Sequence, residues 1–201
     1  MATATALTEL RDREFLAELD VLLTIYADAM NAEPAMLPGR RELMRRHSAY
    51  SAFRAVHVTS GRDGRVLGFA YEFHGESGEW WYDDVWTALA RSAGVAAAAH
   101  WLADCLEVAE VHVRTSCQRS GIGTAMLAAL TSGRPERTAV LSTPDRETTA
   151  RRLYRRLGFT DLLTGYSFPG GSPPYALMGA VLPLRIPVAD DASPSPARPS
   201  A

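Results

Sequence analysis

The stretch "QRSGIG" sets Gln118, Gly121 and Gly123 in the spacing Q-x-x-G-x-G, between an apolar strand-like run, "LEVAEVHV", and a helix-like one, "TAMLAAL". A strand that ends in a glycine turn and a helix start exposes several backbone N–H groups with no internal partner. Those donors and the positive end of the helix hold anionic phosphate oxygens, and glycine lets a ligand come close because no Cβ intervenes. The same pair is also compatible with a tight turn that binds nothing. Two nucleotide cradles drop out. The dinucleotide fingerprint G-x-G-x-x-G would need glycine where Met126 stands, and a P-loop needs a lysine in a chain that has none.

The strand before the glycines carries Glu107, Glu110 and His112. Strict period-two alternation puts Glu110 and His112 on one face and Glu107 on the other. Charge is rare in a buried strand, so Glu110 is read either as a proton acceptor or as the partner of an arginine. His112, whose ordinary pKa is about 6.5, is a second group able to move a proton near neutral pH. Cys105 and Cys117 fit no metal or redox spacing and read as two reduced thiols.

These residues need elements to place them. Residues 6–31 carry apolar positions at helical spacing (Phe15, Leu19, Leu22, Leu23, Tyr26), and an Arg-rich helix is expected over about 40–48. "SAFRAVHVTS" and "VLGFAYEFHG" flank "GRDG" as a hairpin. A helical stretch follows, with Asp83 or Asp84 as its cap. Then come the strand 105–113, the glycine turn, a helix to about 132, the strand "RTAVLST" and the helix "TTARRLYRRLGF", which Gly158 closes. "DLLTGYSF" and "YALMGAVL" make a last strand pair. The order predicts a mixed α/β domain.

Two segments together resemble the GNAT superfamily of acetyl-CoA-dependent N-acetyltransferases. One is "EVHVRTSCQRSGIGTAML", similar to the family's strand, turn and helix for coenzyme A. The other is "ARRLYRRLGF", about 30 residues on, similar to its A-x-x-L-Y-x-x-x-G-F helix and strand. The resemblance spans roughly residues 50–182. It implies a central, mostly antiparallel twisted sheet flanked by helices and splayed at the acetyl-CoA site, within one domain over residues 1–185. It also implies site residues. Strand residues Val111, His112 and Val113 would line the pantetheine arm, the backbone of Val111 and Val113 pairing with its amides. Gln118 would open the turn, and the N–H groups of Arg119, Ser120, Gly121, Ile122, Gly123 and Thr124 would hold the pyrophosphate. Tyr154 would protonate the leaving thiolate, and Glu110 would act as base through a water. Two positions depart from the pattern. Thr115 stands where the family often has Pro, and Glu147 where many members have an Asn that contacts coenzyme A.

The chain has 201 residues, is 47% apolar and carries a formal net charge of -2, which gives no electrostatic case for nucleic acid. No apolar run suits a membrane span, and the N-terminus lacks the pattern of a secretory signal, so a cytoplasmic enzyme without a metal is expected. All 21 basic residues are Arg, which rules out a lysine nucleophile. The acceptor is expected to be a small-molecule amine, a protein N-terminus or a lysine; a non-catalytic acyl-CoA sensor is the competing class. The reading leaves room for a homodimer. Five acids between residues 66 and 90 (Glu72, Glu76, Glu79, Asp83, Asp84), with Trp80, Trp81 and Tyr82, form a candidate amine-attracting cluster. Seven arginines over residues 134–156 read mostly as a solvated helix face, some of them near the ribose 3′-phosphate. The Pro- and Ser-rich end, 186–201, is expected to be disordered.

Overall fold

Seven strands form one sheet in the order β1-β2-β3-β4-β5-β7-β6 in the computed structural model, which describes residues 4–186. The expected tail falls outside them apart from Ile186. The strands are β1 (Thr5–Leu10), β2 (Arg54–Ser60), β3 (Val66–His74), β4 (Cys105–Val113), β5 (Thr138–Pro144), β6 (Thr160–Tyr166) and β7 (Tyr175–Val181). All neighbours run antiparallel except β4 and β5. The helices are α1 (Asp12–Met30), α2 (Leu37–His47), α3 (Trp80–Ala93), α4 (Val95–Leu102), α5 (Ile122–Thr131) and α6 (Thr149–Arg156).

The helices α1 to α4 cover one face. Phe15, Leu19 and Leu22 of α1 meet Phe69, Tyr71 and Phe73 of β3, while Val85 and Leu89 of α3 meet Val140 and Leu177. On the other face, Met126 and Leu130 of α5 pack on Val56 and Ala70, and Tyr154 of α6 packs among Val108, Leu141 and Met178. The central strands are thus covered on both sides, and the central strand β4 nonetheless carries Glu107, Glu110 and His112.

Three expectations need correction. The first helix does not begin at residue 6: residues 5–10 pair with β2, Leu10 opposite Ala55, and α1 starts where Glu14 accepts from the backbone N–H of Arg11 at 2.9 Å. Leu7 and Leu10 would also suit a helical spacing, so long-range pairing with β2 rather than local pattern decided that segment. The stretch after β3 is two helices broken at Gly94, whose φ of +89° suits glycine and ends the first. Neither Asp83 nor Asp84 caps α3, which starts after Glu79; Asp83 accepts from Gly78 N–H at 3.1 Å and Asp84 from the Tyr166 hydroxyl at 2.5 Å.

Of the seven arginines of the arginine-rich segment, Arg137, Arg146, Arg152, Arg155 and Arg156 are exposed, as a solvated face requires, and two have side chains buried in ion pairs. Arg134 is buried with Glu72 at 3.3 Å and Glu136 at 3.2 Å. Arg151 is buried between Asp145 at 2.5 Å and Asp161 at 2.9 Å, which ties α6 to the end of β5 and the start of β6. Arg155 pairs with Glu147 and Asp161. Arg151 and Arg155 thereby hold α6, the helix that carries Tyr154.

Gly179 of β7 shows how tightly the second half of the sheet is packed. A Cβ there would lie 2.7 Å from Trp101 Cε3 and 2.9 Å from Leu162 Cδ1. Overpacking of this kind costs about 1–3 kcal/mol, so Gly179→Ala is expected to lower Tm by roughly 3–10 °C. A melting curve indistinguishable from the parent's would show that the indole and Leu162 can move aside.

Candidate active site

β4 and β5 pair only over a short stretch, Cys105 with Thr138, Leu106 with Ala139 and Glu107 with Val140. Beyond that the two strands part. Between them opens a cavity of about 590 Å³, lined from the β4 side by residues 107–113 and from the other by Ser142, Thr143, Pro144 and Tyr154. The cleft lies inside the sheet, where backbone groups would otherwise be bonded to a neighbouring strand.

A bulge in β4 decides which side chains enter the cleft. Tyr71 faces Glu110 while Glu72 faces Val108, so Ala109 is the extra residue. Directly opposed residues of an antiparallel pair share a face. Phe69, Tyr71 and Phe73, all in the α1 cluster, oppose His112, Glu110 and Glu107. The bulge shifts the alternation by one residue, and all three polar residues face the same side. This corrects the expectation that Glu107 points away from Glu110.

The two acids differ in environment. Glu110 Oε1 accepts from Arg40 Nη1 of α2 at 2.6 Å, and Oε2 is hydrogen-bonded to His112 Nε2. Burial alone would raise its carboxyl; His112 and Arg40 outweigh that and hold it below the ordinary value. The arginine-partner reading of Glu110 is therefore the arrangement seen. Glu107 is 5% exposed, and its Oε2 has no hydrogen-bond partner among the described residues. Burial, with Glu79 nearby, pushes its carboxyl well above the ordinary range. No sequence signal announces the bulge, and strict alternation puts this carboxyl on the wrong face for that reason.

Tyr154 comes from the opposite wall. Its ring packs 5.7 Å from Phe159, while its hydroxyl has no partner among the described residues. Burial, then the Glu110 charge, raises the phenol above its ordinary value and keeps it protonated. The position follows from sequence: Thr148 caps α6 by accepting from Arg151 N–H at 3.0 Å, and Gly158, at φ +99°, ends the helical turn.

The glycine turn is built as a donor row. Gly121 has φ +87° at the start of α5, and Arg119 has φ +62°. Among the described residues, the N–H groups of residues 119–124 have no acceptor. Gly123 lets α5 approach α6, since a Cβ there would lie 2.9 Å from Leu153 Cδ2. The side chain of Gln118 donates to Val113 O at 3.3 Å, fastening the turn to β4. Thr115 uses the N–H that a proline would lack: it donates to Asp28 of α1 at 2.7 Å. Glu147 is bonded to Arg155, so this departure from the family pattern serves α6. Six free donors at a helix start, with no Cβ at two of them, suit a pyrophosphate.

The acidic and aromatic cluster expected from residues 66–90 disperses. Glu72 faces Arg134 away from the cleft, and Tyr82 turns into the core, donating to Leu102 O at 3.1 Å. Trp80 and Trp81 do line the cavity. Among the described residues, no group of three or more His, Cys, Asp or Glu could hold a metal, and no helix is long and apolar enough to cross a membrane.

Comparison with known proteins agrees with this geometry. The family model for the acetyltransferase (GNAT) domain matches residues 62–161. A GCN5-like protein acetyltransferase of Mycobacterium tuberculosis is 34% identical over 206 residues, which cover 90% of this chain and 100% of the relative. Three solved structures share the fold at low identity. A GNAT-family acetyltransferase from Bacillus cereus has TM-score 0.56 at 14% identity, covering 89% of this chain and 97% of its own. PaiA N-acetyltransferase from Thermoplasma acidophilum, in complex with coenzyme A, has TM-score 0.57 at 9% identity, covering 89% and 99%. The ribosomal-protein-S18-alanine N-acetyltransferase from Escherichia coli has TM-score 0.57 at 17% identity, covering 94% and 99%.

Proposed function

The chain belongs to the GNAT acetyltransferases, and from that premise we propose that it moves an acetyl group directly onto a primary amine, in the cytoplasm. Acetyl-CoA is the acetyl donor and supplies an activated thioester. The observation that carries the proposal is that Gln118, which leads directly into the free N–H row of residues 119–124, lines the same cleft as Tyr154. Residues 119–124 bind the pyrophosphate, and Gln118 keeps the turn in place. The N–H of Val111 or Val113 opposes the negative charge that acyl transfer develops on oxygen. Tyr154 gives its proton to the departing thiolate. The dry site that raises the phenol raises the basicity of a thiolate beside it as well, so the transfer stays matched.

A carboxylate on β4 accepts the amine's proton. Glu110 is the candidate by sequence position, but both of its oxygens are engaged and its basicity is low. Glu107, unpartnered and basic, suits the task better. Glu110 then acts through what it holds, fixing Arg40 and His112 beside the site.

Two acceptor classes remain. A small-molecule amine is the first reading. The similarity to a protein acetyltransferase favours a second, the amine of a protein. Acetyl-CoA is expected to raise Tm, because it stabilises the folded state by RT ln(1 + [L]/Kd), about 2.7 kcal/mol at a hundredfold excess over Kd. Free thiol is expected to appear only when an amine is added. Absence of both effects would reject the cofactor site, whereas a rise in Tm without thiol release from any amine would leave a non-catalytic acyl-CoA module.

A further inference from the structure

The last turn of α1 carries an acid where local physics disfavours one. Asp28 stands two residues before the end of the helix, is exposed, and is of a residue type with low helix propensity. A carboxylate there meets the negative end of the helix dipole, and the last turn holds no basic residue to offset it. Its compensation lies across the fold, in the segment that leaves β4. Asp28 Oδ2 accepts from the backbone N–H of Thr115 at 2.7 Å. The Thr115 hydroxyl donates to Asp28 O at 3.2 Å, satisfying one of the terminal carbonyls that a helix leaves without an internal partner. Thr115, through its N–H first, holds the Asp28 carboxyl below its ordinary value, and the charges of Arg114 and Arg65 add to this.

That contact stands at the root of the free N–H row. Arg114 is fastened by its backbone N–H to Leu67 O at 2.8 Å, by Nε to Val66 O at 2.8 Å and by Nη2 to Thr24 Oγ1 at 3.2 Å. Beyond Arg114 the support thins. Among the described residues, the hydrogen bonds that reach residues 115–121 from outside β4 and the turn itself are the two with Asp28. A single tight helical turn spans Thr115–Cys117, and the row begins just after it, at Arg119. A rotation of the backbone at Thr115 would carry the whole row with it. The same turn of α1 brings Tyr26, Ala29 and Met30 to the cleft, so one side chain registers the row against a wall of the site.

We propose that Asp28 is a positioning residue for the acetyl donor, holding Thr115 so that the N–H groups of residues 119–124 converge on the pyrophosphate. This rests on the reading of that row as the coenzyme A site. A charge-assisted hydrogen bond and a rigid φ are two ways to fix the first residue of such a turn. Arg114, at ψ 136°, already lies in the extended region that a following proline requires, and proline suits the first position of a helical turn. Thr115→Pro therefore fits the backbone while removing the N–H on which Asp28 acts.

The test measures Kd for acetyl-CoA by titration calorimetry, and Tm of the free protein, for Asp28→Ala, Asp28→Asn, Thr115→Pro and the Thr115→Pro, Asp28→Ala double variant. Asp28→Ala is expected to raise Kd about three- to tenfold, as loss of one net hydrogen bond implies. Tm of the free variant is expected within about 3 °C of the parent's, the site being exposed. Asp28→Asn keeps an oxygen facing the Thr115 N–H and is expected to recover most of the affinity. In the Thr115→Pro background, Asp28→Ala is expected to change Kd by less than about 1.5-fold, because both substitutions act on one contact. A merely structural Asp28 would lower Tm and leave Kd alone. Asp28→Ala with Kd within about 1.5-fold of the parent's, or with an equal loss in the Thr115→Pro background, overturns the proposal while leaving the cofactor site standing. A parent protein that binds no acetyl-CoA removes the cofactor reading and this one with it.

Discussion

Tyr154→Phe is expected to fold and to bind acetyl-CoA as the parent protein does, and to lose about a hundred- to ten-thousandfold in kcat. The ring contributes packing, 5.7 Å from Phe159 within the α6 cluster, and phenylalanine keeps that contact. The hydroxyl makes no hydrogen bond among the described residues, so its removal leaves no buried donor stranded. Stability and turnover should therefore separate cleanly. A purely structural tyrosine would leave kcat intact in the Phe variant. The measurements are Tm with and without acetyl-CoA and steady-state thiol release; kcat within about twofold of the parent would reject the acid role.

Glu107→Gln is expected to cause a loss of similar size, about a hundred- to ten-thousandfold in kcat, together with a changed pH profile. Burial raises the Glu107 carboxyl well above its ordinary value, so its protonated form persists to a higher pH than in an exposed carboxyl. The basic form grows as pH rises through the folded-state pKa, and kcat/KM for the parent should climb with it. Glutamine keeps the shape and removes that climb. Stability runs the other way. A carboxyl whose folded pKa is raised contributes stability fully present below its unfolded pKa and lost as pH rises through the folded one. The parent should thus gain activity over the pH range in which it loses Tm, and Glu107→Gln should show neither trend. Glu110→Gln is the contrast. It weakens the buried contact to Arg40, and loss of one partner of a buried pair costs about 3–5 kcal/mol when the other is stranded. Its effect should appear more in Tm than in pH dependence. If Glu110→Gln abolishes the pH climb and Glu107→Gln does not, the two roles are exchanged.

The parts of the site that were legible in the sequence are those set by neighbours along the chain. A strand, a glycine turn and a helix start are specified within residues 105–131 by their own residue types, and the cap, tyrosine and closing glycine of α6 within residues 148–158. The illegible parts depend on pairing across the sheet. The bulge at Ala109 comes from register against β3, and it alone moves Glu107 into the cleft. The strand at Thr5–Leu10 exists because β2 offers a partner. The acids of residues 66–90 looked like a cluster because they are close in sequence. In space Glu72 serves Arg134, Asp84 serves Tyr166, and the acids facing the cavity include Glu107 and Glu110, from another strand. Charge composition could not assign those partners.

The parting of β4 from β5 after Glu107 and Val140 can finally be viewed as two edge strands placed in the middle of a sheet. Past that point their facing backbone groups lack a strand partner, the condition that elsewhere templates pairing with foreign chains. Here the hazard is enclosed. The opening is lined by Tyr154 and by Trp80, Trp81 and Phe168. A ligand with amide groups of its own occupies such a gap as a surrogate strand and completes the sheet. The protein is in this sense folded one strand short, and its vulnerability to self-association should follow how much acetyl-CoA surrounds it.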